Sequence, residues 1–155
     1  MVNKRIWTDT LEANFALADG ATDIGLAAAV YLAQEDLQIV GVALEVNWRL
    51  INDITAAGLA HCQVTAELSQ HPQMTSPGVL ARLRHGLVAF TDTGTVRAMM
   101  WFDNLGDHIE VMFPESRYVS LKDGETVNLH VYYNNDMGGI VTLSAIGVLY
   151  FTKKA

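Results

Sequence analysis

Apolar and polar residues alternate with period two along much of this chain. In IVGVALEVNWRL, Ile39 to Leu50, the residues Val40, Val42, Leu44, Val46, Trp48 and Leu50 form one set, and Gly41, Ala43, Glu45, Asn47 and Arg49 the other. A helix would scatter both sets around its circumference, whereas a strand separates them cleanly. AHCQVTAELS follows, with Ala60, Cys62, Val64, Ala66 and Leu68 dry and His61, Gln63, Thr65, Glu67 and Ser69 wet. Near the C-terminus, Val127, Leu129, Val131 and Tyr133 oppose Thr126, Asn128, His130 and Tyr132. Val42, Leu44, Val46, Trp48, Val64, Leu68, Leu129 and Val131 are therefore the expected core.

Shorter strands fill the intervals: DIGLAAAVYLA with Ile24, Leu26, Ala28, Val30 and Leu32 as its larger set, then HGLVAF, TVRAMMWF, HIEVMF and RYVSL. Thr-Gly in FTDTGTV and Asp-Gly in LKDGETV supply the positive φ of hairpin turns. IVTLSAIGVLYF, Ile140 to Phe151, is apolar on both faces, as in a strand at a sheet centre or against a neighbour. Two stretches depart from the pattern. WTDTLEANFALADG reads as an edge strand or an arm. HPQMTSPGVLARLRHG reads as a long loop with one helical turn over Val79 to Leu83. The expected fold is all-β, an antiparallel sandwich or barrel of about ten strands. Residues 1–19 form an arm or edge strand, and 20–155 a single domain.

Composition narrows the function. Half of the 155 residues are hydrophobic, 17% are charged and the net charge is −7. A chain this acidic, with only short basic spots at Lys4–Arg5, Arg82–Arg84 and Lys153–Lys154, lacks the positive stripe that holds phosphate backbones. No apolar run reaches the length of a membrane helix, and no signal peptide opens the chain. Mean hydropathy is mildly positive, which favours burial of surface between copies.

Candidate chemistry is sparse. His61, His71, His85, His108 and His130 show no metal-ligand spacing. NNDMGG, Asn134 to Gly139, has oxygen ligands but not the spaced acids of a calcium loop, and reads as a turn; DNLGD, Asp103 to Asp107, reads the same way. Glu45, Glu67 and Glu110 fall on wet faces, where acids keep a sheet soluble. Cys62, the single cysteine, falls in a dry row and reads as core. Trp7, Trp48 and Trp101 offer a sugar platform only if Trp48 leaves the core. No catalytic residue, cofactor or metal is expected.

FPESRYVSLKDGETVNLHVYYNNDMGGIVTLSAIGVLYFTKK, Phe113 to Lys154, resembles the closing strands of single jelly-roll virion proteins, and EDLQIVGVALEVNWRL resembles the first long strand of such a roll. The resemblance implies a jelly-roll sandwich of about 8–10 strands that serves as a capsid or capsid-decoration protein of a prokaryotic virus. It would be made in the host cytoplasm and reside in the virion, with copies of itself and other virion proteins as partners. MVNKRIWTDTLE carries acids where coats of small RNA viruses carry a basic arm, so direct genome binding is not expected. A trimeric receptor- or carbohydrate-binding head and a cupin-like enzyme are the alternatives. Assembly contacts are expected from Trp7, Leu11, Phe15 and Leu17 in the N-terminal segment and from Met74, Val79, Leu80 and Leu83 in the long loop. These apolar side chains stand outside the clear strand pattern.

Overall fold

The computed structural model describes residues 5–17, 22–23, 27–51, 58–70, 78–92, 95–102, 108–136 and 140–153. Two antiparallel sheets face each other across one apolar core. The first contains β1 (Trp7–Leu17), β4 (Leu37–Ile51), β8 (His108–Met112), β9 (Val119–Leu121) and β11 (Val141–Lys153). The second contains β2 (Thr22–Asp23), β3 (Ala27–Leu32), β5 (Gly58–Ser69), β6 (Val79–Asp92), β7 (Thr95–Phe102) and β10 (Thr126–Asn135). β8 and β9 share one side of β4, and β2 and β3 share one side of β10. A 3-10 turn at Glu115–Arg117 lies between β8 and β9.

The connectivity is of jelly-roll type. β1 pairs with β11, β3 with β10, β4 with β8 and β5 with β6, each pair nested inside the one before. Pairing of β11 with β4 and of β10 with β5 joins these hairpin layers into the two sheets. That is a long antiparallel hairpin wound upon itself, an arrangement that leaves few strand edges open.

The strong alternations specify the inner faces. Val42, Leu44 and Val46 of β4, Val64 and Leu68 of β5, and Leu129 and Val131 of β10 are all buried in the core. Trp48 pairs with Leu143 in the ladder, but its side chain lies outside those described. Gly147 of β11 marks a close approach of the sheets, since a Cβ there would sit 2.8 Å from Leu68 Cδ2. Leu129→Ala or Leu44→Ala is expected to cost about 2–5 kcal/mol, read from the midpoint of a urea unfolding curve. A loss near zero at both would mean that the inner faces are misassigned.

Four elements bear on the sequence expectations. First, of the two forms expected for WTDTLEANFAL, edge strand or arm, it takes the former. It is an edge strand paired with β11 over its whole length, from Trp7 opposite Phe151 to Leu17 opposite Val141. Second, Val79 to Leu83 is strand. Ala81 and Leu83 point inward and the side chains of Arg82 and Arg84 are exposed, because this segment pairs with β5 from Val79 onward. Third, β3, whose alternation separates two apolar sets without deciding which faces in, packs Ala29 and Tyr31 on the core and turns Val30 and Leu32 out. Fourth, the Lys122–Glu125 turn has its positive φ at Gly124, as expected, yet joins no hairpin. It carries the chain from β9 in one sheet to β10 in the other, held by Asp123 N–H donating to Asp36 Oδ1 at 3.0 Å. The hairpin expected around Thr93–Gly94 does form, with Asp92 opposite Thr95, although 93–94 lie outside the described residues.

Candidate functional sites on the sandwich

A charged row crosses the outer face of the second sheet. In the ladder His130 of β10 stands opposite Glu67 of β5, and Glu67 opposite Arg82 of β6. Arg82 donates from Nε at 2.9 Å and from Nη2 at 2.7 Å, both to Glu67 Oε2. Among the described residues, Glu67 Oε1 accepts no hydrogen bond. The Glu67 side chain is 0% exposed, that of Arg82 50%. Glu67 and His130 were expected on a solvated face, and both are buried. Each lies on a strand flanked on both sides by others, and alternation alone does not register that depth. The Arg82–Glu67 pair is an ionic clamp between β5 and β6. With one oxygen gripped by a guanidinium and no access to solvent, Glu67 is poorly placed to act as a general base.

Cys62 is buried opposite Asn135 of β10. Burial, and then the negative charge of Asp136, push its thiol from the ordinary 9.0 up to about 12. The nucleophilic thiolate is thus suppressed at neutral pH. Above pH 9 the unfolded chain loses this proton while the folded chain keeps it. Stability therefore falls with rising pH until about 12. Cys62→Ala is expected to remove about 2–3 kcal/mol of the stability lost between pH 8 and pH 11, measured by denaturant unfolding of both proteins at each pH. Parallel losses in the two proteins would contradict this.

The NNDMGG run divides. Asn134 and Asn135 complete β10, and Asn135 is buried, its Nδ2 donating to the Leu17 carbonyl at 2.8 Å. It ties the end of the second sheet to the end of β1, and so it is not part of an exposed turn. Met137 to Gly139 lie outside the described residues, as do Asp103 to Asp107 and His71. His85, expected in a loop, is buried within β6. Among the described residues no group of three or more His, Cys, Asp or Glu side chains stands together as a metal site. Among them also, no helix is long and apolar enough to cross a membrane.

Where β1 and β3 close one side of the sandwich, a groove of about 500 Å³ opens. Trp7, Tyr31, Leu32, Gln34, Glu35 and Leu37 line it. Phe151 anchors both aromatic rings, with centroids 6.1 Å from Trp7 and 5.0 Å from Tyr31. Burial, the charge of Asp9 and a hydrogen bond to its side chain, and then the charge of Glu35, raise the Tyr31 hydroxyl above its ordinary pKa. Glu35 forms an exposed ion pair with Lys153 at 3.5 Å. Tyr31, Gln34 and Glu35 were not singled out from the sequence. Their only sequence signal is a tyrosine followed by polar residues at the end of an apolar strand.

The expected assembly residues separate by depth. Leu11, Leu17 and Leu83 are buried in the core of their own chain. Trp7, Phe15 and Leu80 are half-buried against that same core. Val79 is partly exposed at the start of β6, and Met74 lies outside the described residues. The accessible large apolar side chains are others, notably Val30 (52%), Leu32 (53%), Met112 (49%) and Ile140 (51%).

No family model matches the sequence, and no curated protein matches it. Among solved structures, the chain is similar to the infectious bursal disease virus VP2 subviral particle, with a TM-score of 0.38, 16% identity, and coverage of 97% of this chain and 33% of that one. It is also similar to the decameric BFDV capsid protein, with a TM-score of 0.38, 13% identity, and coverage of 97% and 100%. For the 60-mer BFDV capsid protein the TM-score is 0.36, with 14% identity and coverage of 99% and 96%. The chain spans about a third of the length of the infectious bursal disease virus protein and all of the decameric BFDV chain. Likenesses at these scores assign neither a family nor a function.

Proposed function

We propose that this chain is a structural subunit of a virus particle, a self-associating jelly-roll sandwich of the capsid or capsid-decoration kind. The observation that carries the reading is β3. It is an edge strand that turns Val30 and Leu32 outward, each more than half exposed, while Ala29 and Tyr31 face the core. An open strand edge bearing an apolar stripe is a liability in a monomer and is the usual material of a symmetric contact. Val79, Leu80, Met112 and Ile140 add further accessible or half-accessible apolar surface for neighbours in a shell. The sequence resemblance to virion jelly rolls of prokaryotic viruses points the same way, and it makes the virion the place of action and other virion proteins the further partners.

Sedimentation or light scattering of the intact protein tests this, alongside a Val30→Asp/Leu32→Asp double variant. A closed multimer is expected for the parent and a folded, smaller species for the variant. A parent that is monomeric at tens of micromolar, or a variant with unchanged mass, would remove the reading.

A further inference from the structure

We infer that the groove between Trp7 and Tyr31 is a saccharide-binding subsite, taking a neutral pyranose unit of a glycan. The inference rests on the groove and stands whether or not the chain assembles. A pyranose presents apolar C–H faces and a rim of hydroxyls. It is recognised where aromatic faces lie beside side chains that both donate and accept hydrogen bonds.

The groove offers that combination. The rings of Trp7 and Tyr31 are held in place from behind by Phe151, tilted from it by 38° and 31°. Their positions are therefore set before any ligand arrives, which lowers the ordering cost of binding. The exposed Gln34 supplies an amide donor and an amide acceptor, and the Glu35 carboxylate supplies an acceptor. The Trp7 indole N–H is a further donor. Tyr31 is hydrogen-bonded to the Asp9 side chain, which directs its hydroxyl proton to that carboxylate and leaves the phenolic oxygen as an acceptor. The volume, about 500 Å³, is that of a small-ligand site.

Charge narrows the class. Asp9 and Glu35 both act on Tyr31, and the nearby cation Lys153 is paired with Glu35. Phosphate or another anionic ligand would meet two carboxylates and a committed lysine, so the groove favours an uncharged sugar. A cationic side chain of a partner peptide is the competing ligand, and the experiment below separates the two.

The test is an NMR titration of the intact protein with maltotriose, N,N′-diacetylchitobiose and lactose, and separately with tetralysine. The Trp7 indole N–H is identified by its disappearance in Trp7→Phe. At least one sugar is expected to shift the Trp7 indole and Gln34 amide signals with millimolar affinity. Gln34→Ala, on an exposed side chain, is expected to weaken that binding by tenfold or more without altering the rest of the spectrum. Trp7→Ala should abolish it, with circular dichroism checking that the variant folds; if that variant unfolds, Gln34→Ala alone decides. Three results would overturn the inference: no shift with any of the sugars, equal binding by Gln34→Ala, or a response to tetralysine alone.

Discussion

Deletion of residues 1–18 is expected to abolish the fold, with loss of near-ultraviolet circular dichroism and of amide dispersion, and with recovery from cells mainly as aggregate. β1 is hydrogen-bonded to β11 along all of its 11 residues. It buries Leu11 and Leu17 completely or nearly so and packs Trp7, Ala13 and Phe15 against the core. Each large side chain removed withdraws up to about 1.5–3 kcal/mol of burial, and the total stability of a domain is about 5–15 kcal/mol. Deletion also strips Asn135 of its buried acceptor at Leu17. It would leave β11, with half-buried Ile146 and Val148 on its outer side, as a long open edge. A truncated chain that melts cooperatively near the parent temperature would show that β1 is accessory to the domain.

Arg82→Ala is expected to cost more than Glu67→Gln, by a margin that the difference in burial sets. Removing the guanidinium leaves a carboxylate that is 0% exposed without the cation that grips its Oε2. Breaking a buried pair from the side that strands a charge typically costs about 3–5 kcal/mol. Glu67→Gln removes the buried charge and leaves a half-exposed arginine free to reach water. The expected loss is about 1–2 kcal/mol. The double variant should be more stable than Arg82→Ala alone, because the stranded charge is gone. Urea unfolding of the three variants and the parent completes the cycle. Equal costs for the two single changes would show that Glu67 is solvated through a route that its burial does not reveal.

The middles of β4, β5 and β10 were readable from their residues because one face is apolar throughout and the other is small or polar. Val42–Leu44–Val46, Val64–Ala66–Leu68 and Leu129–Val131 needed nothing else. The reading failed where phase, pairing or depth is decided by a partner strand. β4 shifts register between its pairings of Gly41 with Tyr150 and of Ile39 with Phe151, so Leu37 and Ile39 share the inner face with Val42 despite opposite parity. An uninterrupted alternation puts Ile39 outside. In β3 both residue sets are apolar, so the pattern leaves the phase open, and the placement of Tyr31 beside Phe151 decides it. In β1 the inner set Trp7, Asp9, Leu11, Ala13, Phe15 and Leu17 includes an acid, which masks the alternation. The groove was not readable at all. Trp7 and Tyr31 are brought together by Phe151, a residue near the other end of the sequence, and no local pattern carries that information.

The nested pairing also bears on the order of events as the polypeptide is made. Of the strands of the sandwich, β1 is made before its hydrogen-bonding partner β11 and before every strand between them. β3 waits similarly for β10. Among the described strands, the β5–β6 and β6–β7 hairpins can close early with short-range partners. Such a topology folds slowly for its size and keeps unsatisfied edges exposed during synthesis. The innermost hairpins would serve as the template on which later layers are laid. Until β11 has emerged, a nascent chain presents the open flank of β4 where its own last strand belongs, and that flank is also where a β11 from another chain could be exchanged. Crowding many copies during synthesis thus favours swapped strands over closed subunits, and a slower rate of translation through β10 and β11 would shift the yield.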